Sequence, residues 1–283
     1  MPSDRMPGDR RPAEGAGRLD TVMARQGLAR SRTHAARLIA EGAVTVDGVP
    51  VSKASARVAA GQSIGLSASD RYAGHRYVSR GAGKLIAGLD AFGVSVEGRV
   101  ALDVGASTGG FTQVLLERGA RRVVALDVGH GQLAESIRAD PRVVAVEGVN
   151  ARELTREALV GMAGETPGLV VADLSFISLT TVLPALAGAA GSAELVLLVK
   201  PQFEVGRARI GEGVVRDPGR RAEAVMAVLR SAAELGLGTA GVASSPVVGS
   251  AGNREYLVRL SSTVGGNPSE WSDRVTALAH AGG

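Results

Sequence analysis

The stretch VALDVGASTGGFTQVLLERG, residues 100–119, joins a β-rich apolar run to a helical stretch through a turn that holds Gly105, Gly109 and Gly110. Glycine at such a turn lets a ligand come close to the backbone. Downstream lie RVVALDV (122–128), RVVAVEG (142–148), LVVADLS (169–175) and ELVLLVK (194–200), with VASSPVV and REYLVRL near the end. Helical stretches alternate with the earlier runs. The alternation predicts a Rossmann-like α/β domain with a seven-stranded, mostly parallel sheet covered by helices on both faces. Little more than a turn separates the last runs, which predicts an antiparallel finish.

The turn discriminates between ligands. A dinucleotide fingerprint, G-x-G-x-x-G, would place glycine at 107 so that the backbone could meet a pyrophosphate. Position 107 is serine, in G-A-S-T-G-G. A pyrophosphate fits poorly there, and a nucleoside without phosphates, S-adenosylmethionine, fits better. Asp103, Gly105, Ala106, Ser107, Thr108, Gly109, Gly110 and Phe111 make up the expected donor turn, with Asp103 near the donor's amino acid end. The next strand ends at Asp127, 22 residues after Gly105, where a carboxylate can accept hydrogen bonds from a ribose diol. The exit of the third strand, Val149-Asn150-Ala151, is the expected adenine edge, and Phe176 an expected wall of the pocket.

The chain has 29 arginines but only three lysines, Lys53, Lys84 and Lys200. A lysine amine can lose its proton when desolvated or crowded by charge, whereas a guanidinium stays protonated. Lys200 closes an apolar run just before Pro201; with so few lysines, chance placement is the competing explanation. Asp173 closes the preceding run, and in a doubly wound sheet the carboxyl ends of strands meet at the ligand crevice. Asp173 and Lys200 should therefore flank one pocket. Lys84 lies in SRGAGKL before the first strand, and Glu255 in AGNREYLVRL at the start of the last. Taken singly, each reads equally well as a surface charge or a structural ion pair. It is their convergence that points to chemistry.

The whole chain sets outer limits. Its 283 residues are 45% hydrophobic, enough for one large domain and one small. Aromatics make up 3%, too few for stacking platforms to dominate binding of bases. The absence of cysteine excludes disulfides and thiolate metal sites and fits a cytoplasmic location. No apolar run is long enough for a membrane span, and MPSDRMPGDRRPAEG lacks the apolar core of a signal peptide. Residues 1–80 carry 13 Lys/Arg against 7 Asp/Glu, while the remaining 203 carry 19 against 21. A basic module on a near-neutral body suits a polyanionic partner. The expected organisation is a disordered stretch at 1–16, a small α+β domain at 17–67, a linker at 68–80, the large domain at 81–263 and a tail at 264–283.

The small domain reads as two helices followed by short strands. Leu19, Val22 and Met23 recur at helical spacing before Gly27. Ser31 suits the N-cap of a second helix that Gly42 ends, and AVTVDGVPV predicts a hairpin turning at Asp47-Gly48. Arg18, Arg25, Arg30, Arg32 and Arg37 are candidate phosphate contacts. With RLD at 18–20, Ser31-Arg32 and EGAVTVDG at 41–48, the segment resembles the S-four-type (alpha-L) RNA-binding domain, which implies binding to structured RNA.

The large domain carries a second resemblance. Lys84, Asp173, Lys200 and Glu255, with DVGASTGGF, match the Lys-Asp-Lys-Glu tetrad of FtsJ-like RNA 2'-O-methyltransferases. The motifs SRGAGKL, DVGASTGGFT, ADLSFISL, VKPQFE and SPVVGSAGNREYL extend the likeness, so that residues 18–262 resemble the TlyA family, historically labelled hemolysin. The resemblance implies a class I S-adenosylmethionine-dependent methyltransferase that modifies cytidine 2'-hydroxyls in ribosomal RNA, with ribosomal subunits as partners and neither metal nor membrane required. It also implies a role for Lys200, which removes the hydroxyl proton or stabilises the developing oxyanion. One departure is His75-Arg76-Tyr77-Val78, where the family usually has Arg-x-Trp-Val. Three rival readings remain: a non-catalytic ribosome assembly factor, a pore-forming hemolysin, and a nicotinamide oxidoreductase, the last disfavoured by Ser107.

Overall fold

The computed structural model describes residues 10–12, 16–29, 31–40, 44–66, 77–205, 213–249 and 252–281. The chain divides into two compact units, Met1–Gly83 and Lys84–Gly283.

In the smaller unit, strands β1 (Arg10–Pro12) and β2 (Gly17–Arg18) precede helices α1 (Leu19–Arg25) and α2 (Arg32–Ala40). Strands β3 (Val44–Val46), β4 (Val49–Pro50), β5 (Arg57–Val58) and β6 (Ser63–Leu66) follow. The order β1-β6-β3-β4 makes one sheet, and β2 pairs with β5. Leu19, Val22 and Met23 from α1 meet Leu38 and Ile39 from α2 over Val44 and Ile64, closing a core of the unit's own. The β3–β4 hairpin turns at Asp47 and Gly48, both at positive φ, the geometry for which Asp-Gly is suited. Disorder was expected through residue 16, yet Arg10–Pro12 pair antiparallel with Ser63–Gly65, because the edge of β6 offers unpaired backbone groups. Arg30, Gly42, residue 67 and residues 68–76 of the expected linker at 68–80 lie outside the described residues.

The larger unit opens with α3 (Gly81–Phe92), whose first turn straddles the division between units. Strands β7 (Val100–Val104), β8 (Arg122–Asp127), β9 (Val143–Glu147), β10 (Leu169–Ala172) and β11 (Glu194–Val199) then alternate with helices α4 (Gly110–Glu117), α5 (Glu135–Arg138), α6 (Arg156–Ala163) and α7 (Leu179–Ala190). A short α8 (Pro201–Glu204) and a long α9 (Pro218–Glu234) lead to β12 (Gly238–Ser244) and β13 (Tyr256–Ser261), and α10 (Ser272–His280) closes the unit. The sheet has seven strands in the order β12-β13-β11-β10-β7-β8-β9, with β13 antiparallel to both neighbours. Strands β7, β10 and β11 are apolar almost throughout because helices cover both faces of a parallel sheet. The chain order reverses between β7 and β10, so a crevice opens at their carboxyl ends.

Residues 264–283, expected to be a tail, are not one. Asn267 forms a capping box with Glu270 that starts a 3-10 turn at Pro268–Trp271, and α10 follows it. The helix buries Val275 and Ala279, and the Ala279 carbonyl accepts a 2.7 Å bond from Arg221 Nη2. Apolar residues at 275 and 279, one helical turn apart, are the signal that was missed. Val275→Ala should lower unfolding free energy by about 2 kcal/mol through lost burial and a residual cavity. Urea denaturation checks this, since a solvated tail would give no change.

Candidate active site

Four strand or helix ends converge on a charged cluster. Asp173 directly follows β10, Lys200 directly follows β11, Glu255 directly precedes β13, and Lys84 stands in the first turn of α3. Because β13 runs antiparallel, its first residues reach the end of the sheet where β10 and β11 finish. Lys200 Nζ lies 2.7 Å from Asp173 Oδ1 and donates to Ser175 Oγ at 2.8 Å. Lys84 Nζ lies 2.6 Å from Glu255 Oε2 and 3.9 Å from Asp173 Oδ2. Asp173 Oδ1 and Glu255 Oε2 accept no aligned hydrogen bond among the described residues, though both stand at ion-pair distance from an amine. All four side chains are largely buried; Glu255 is 3% exposed and Asp173, the most open, 19%. Low exposure strengthens such contacts and makes any unpaired member costly.

Local chemistry fixes these positions. Lys200 is the N-cap of α8, with Pro201 supplying the fixed φ that suits a first helical position. Glu204, three residues on, accepts hydrogen bonds from Ser178 Oγ and Leu179 N, where α7 begins. A carboxylate is favourable at a helix N-terminus. It also ties the segment after β10 to the segment after β11, so Asp173 and Lys200 keep their register. Burial pushes the Glu204 carboxyl up from its ordinary range, while the Ser178 hydrogen bond acts in the opposite direction.

Beside the cluster lies a cavity of about 500 Å³ at the β7/β10 crevice. Of the expected donor-site residues, Gly105, Ser107, Asp127, Asn150, Asp173 and Phe176 line it. Asp127 accepts from Ser107 N at 2.7 Å and Gly129 N at 2.8 Å. The amide at 107 that would meet a pyrophosphate is therefore committed to a carboxylate, which adds to the argument from the missing glycine. Gly105 has φ 82°, and a Cβ there would come within 3.0 Å of Asp173 O, so a side chain would force the two strand exits apart. Asn150 caps a 3-10 turn by accepting from Arg152 N. Phe176 is 87% exposed at positive φ, with its ring 5.4 Å from that of Phe203. Val149 and Ala151 also line the cavity.

Asp103, Ala106, Thr108, Gly109, Gly110 and Phe111 do not line this cavity. Gly109 at φ 96° faces α5, where a Cβ would meet Leu133 and Ile137; its glycine serves packing. Gly110 and Phe111 are buried in the first turn of α4. Asp103 is fully buried, with Oδ2 accepting from Thr112 Oγ1 at 2.6 Å and Oδ1 unpartnered among the described residues. Burial pushes its carboxyl up to about 7; the Thr112 hydrogen bond opposes that and the Asp173 charge adds to it. Residues that sequence reading did not assign include Ser175, which bonds Lys200, and Leu174, Ile177 and Val182, which form apolar wall.

In the smaller unit, Arg18 and Arg32 both pair with Asp20, at 3.0 and 3.4 Å. Hydrogen bonds from Arg18 hold the Asp20 carboxyl down at about 2, outweighing its burial. Arg25 is exposed in the last turn of α1. Arg30 and the side chain of Arg37 lie outside the described residues.

The profile of the FtsJ-like methyltransferase family matches residues 77–262, which contain the whole cluster and the cavity. The chain belongs to the FtsJ-like methyltransferase family. An S4 domain matches residues 17–64 ahead of it. The FtsJ-like chain is 54% identical over 245 residues to the 16S/23S rRNA (cytidine-2'-O)-methyltransferase TlyA of Mycobacterium tuberculosis, covering 86% of this chain and 89% of that protein. Hemolysin A of Brachyspira hyodysenteriae is 37% identical, covering 86% and 99% of the two chains. A solved structure described as a candidate hemolysin from Streptococcus thermophilus superposes with a TM-score of 0.70 at 37% identity, over 95% of this chain and 97% of that one. Among the described residues of this methyltransferase, no helix is long and apolar enough to cross a membrane.

The buried Asp103 carries a pH signature. Its folded pKa, about 7, lies above the ordinary carboxylate value of 3.8, so the native state holds a proton that the unfolded state releases. The stabilisation is complete below about pH 4 and is lost as pH rises through about 7, at no more than about 1.4 kcal/mol per pH unit. Asp103→Asn should flatten that fall in urea midpoints measured from pH 4 to 8; an unchanged slope would assign it to another group.

Proposed function

We propose that the protein transfers a methyl group from S-adenosylmethionine to the 2'-hydroxyl of a cytidine in ribosomal RNA, on one or both ribosomal subunits. The observation that carries this reading is the pairing of Lys200 with Asp173, which lines the crevice cavity. The donor's chemistry fits the cavity's residues: Asp127 offers carboxylate oxygens to a ribose diol, and Val149-Asn150-Ala151 form an edge for adenine. S-adenosylmethionine, when bound, supplies a methyl on a positively charged sulfur.

The chain's residues do the rest. Lys200 meets the 2'-hydroxyl and either takes its proton or holds the oxygen as negative charge develops. Asp173 and Ser175 fix the amine's direction from two sides. Glu255 holds Lys84 next to Asp173, so the second cation has a set position and the carboxylate between the two amines stays in register. Holding oxygen and methyl in line supplies much of the barrier reduction. The S4 domain would bring structured RNA, with Arg18, Arg25 and Arg32 as phosphate contacts. The relative's name supports the substrate, and the absence of a glycine amide for pyrophosphate disfavours a nicotinamide cofactor.

Lys200→Arg keeps a cation but cannot keep the compact amine between Asp173 and Ser175. Turnover should fall by roughly a hundredfold or more, with donor and RNA affinities near wild type by calorimetry. Turnover close to wild type would remove Lys200 from the chemistry.

A further inference from the structure

The mechanism leaves one cluster of arginines unused. A cavity of about 330 Å³ is lined by Val214, Val215, Arg216, Arg221, Gly252 and Arg254. It lies between the segment before α9 and the segment before β13. Asn253, 2% exposed, staples the two: its Oδ1 accepts from Val215 N at 2.9 Å and its Nδ2 donates to Gly213 O at 2.8 Å. Arg254 is the immediate neighbour of Glu255, so the cavity stands at the same end of the sheet as the Lys84–Glu255 pair.

The charge of this cavity is built in. Arg221 is 7% exposed and donates to the carbonyls of Val215, Arg216 and Ala279, at 3.5, 3.0 and 2.7 Å. Its Nε is buried and makes no bond among the described residues. Arg254 donates to Ala281 O at 2.5 Å. Carbonyls aim a guanidinium without cancelling its charge. The first turn of the 17-residue α9 contains Arg220 and Arg221 and no acid, which adds cations to the positive end of a helix dipole. The N-cap Asp217 accepts from Arg220 N at 2.7 Å, and Glu255, next to Arg254, is paired with Lys84. The Tyr256 hydroxyl faces Arg221, whose charge acts on it together with that of Arg254. Such an arrangement is stabilised when an anion completes it, and a guanidinium fork matches the oxygens of a phosphate.

We propose that the Arg216–Arg221–Arg254 cavity binds a backbone phosphate of the RNA strand beside the ribose that meets Lys200. The inference rests on the ribose-methylation reading above and deepens it, because it supplies an anchor within the catalytic unit itself. A phosphate held next to the target sugar fixes the strand's register without reading base identity. It also limits rotation of the hydroxyl relative to the amine.

The test is equilibrium binding of the full chain, without donor, to a ribosomal RNA transcript and to polyuridylate of equal length across a salt series. Arg254→Ala should weaken both RNAs roughly tenfold. It should also reduce the steepness of log K against log salt by about 1, the signature of one lost phosphate contact. The exposed Arg216→Ala should behave alike, and it carries the test alone should Arg254→Ala fail to fold. Arg254→Lys should recover the slope. A slope unchanged in the folded alanine variants, or weakening confined to the ribosomal transcript, overturns the phosphate site. Because this readout needs no methyl transfer, a wild-type protein that meets the binding expectations yet methylates nothing rejects the catalytic reading and leaves the phosphate site standing.

Discussion

One carboxylate, Asp173, is shared between two largely buried ammonium groups, at 2.7 Å from Lys200 and 3.9 Å from Lys84. Taking such charges out of water is expensive, and pairing only partly offsets the loss. A fold that needed stability alone would do as well with apolar residues of similar volume. What the cluster provides is direction. With Asp173 fixed by the exit of β10, the Lys200 amine can point to only one place, and Ser175 narrows that further. The rest of the large unit can be read as the means of holding two adjacent strand ends and one antiparallel strand start in mutual register.

That demand explains features that otherwise look unrelated. Glu204 caps α7 from α8, so the two segments that carry Asp173 and Lys200 cannot slide. Gly105 permits the β7 exit to touch the backbone of Asp173, which brings the floor of the cavity against the charged cluster. The antiparallel β13 is what delivers Glu255; a parallel strand in that place would start at the opposite end of the sheet. Each device links the crevice cavity to the charged cluster.

Much of this architecture was legible in the sequence because the signals were local. Strand runs such as LVLLV (195–199) are apolar throughout, and their burial on both faces follows directly. Ser107 spoke against a pyrophosphate, and its amide proved to be bound to Asp127. Asp173, Lys200 and Glu255 were inferable because they flank strand ends, and Lys84, in the first turn of α3, through its place in SRGAGKL before the first strand. Less legible were features that depend on a distant partner. Gly109 sat in the same glycine-rich turn as Gly105 but packs against α5, a distinction that only the third dimension makes. Asp20 lies just before a stretch of arginines, and its pairing with Arg32 joins two helices. The C-terminal helix was missed because its polar face dominates its composition, while Val275 and Ala279, with the partly buried Leu278, carry its packing.

The most direct test of the central claim is to incubate the protein with ribosomal subunits and methyl-labelled donor and map each labelled nucleotide. A charged cluster that activates a sugar oxygen predicts label on the 2'-oxygen of a cytidine, refractory to alkaline cleavage at that position. Label on a base nitrogen or carbon, or no transfer to either subunit while donor binds, would contradict the account.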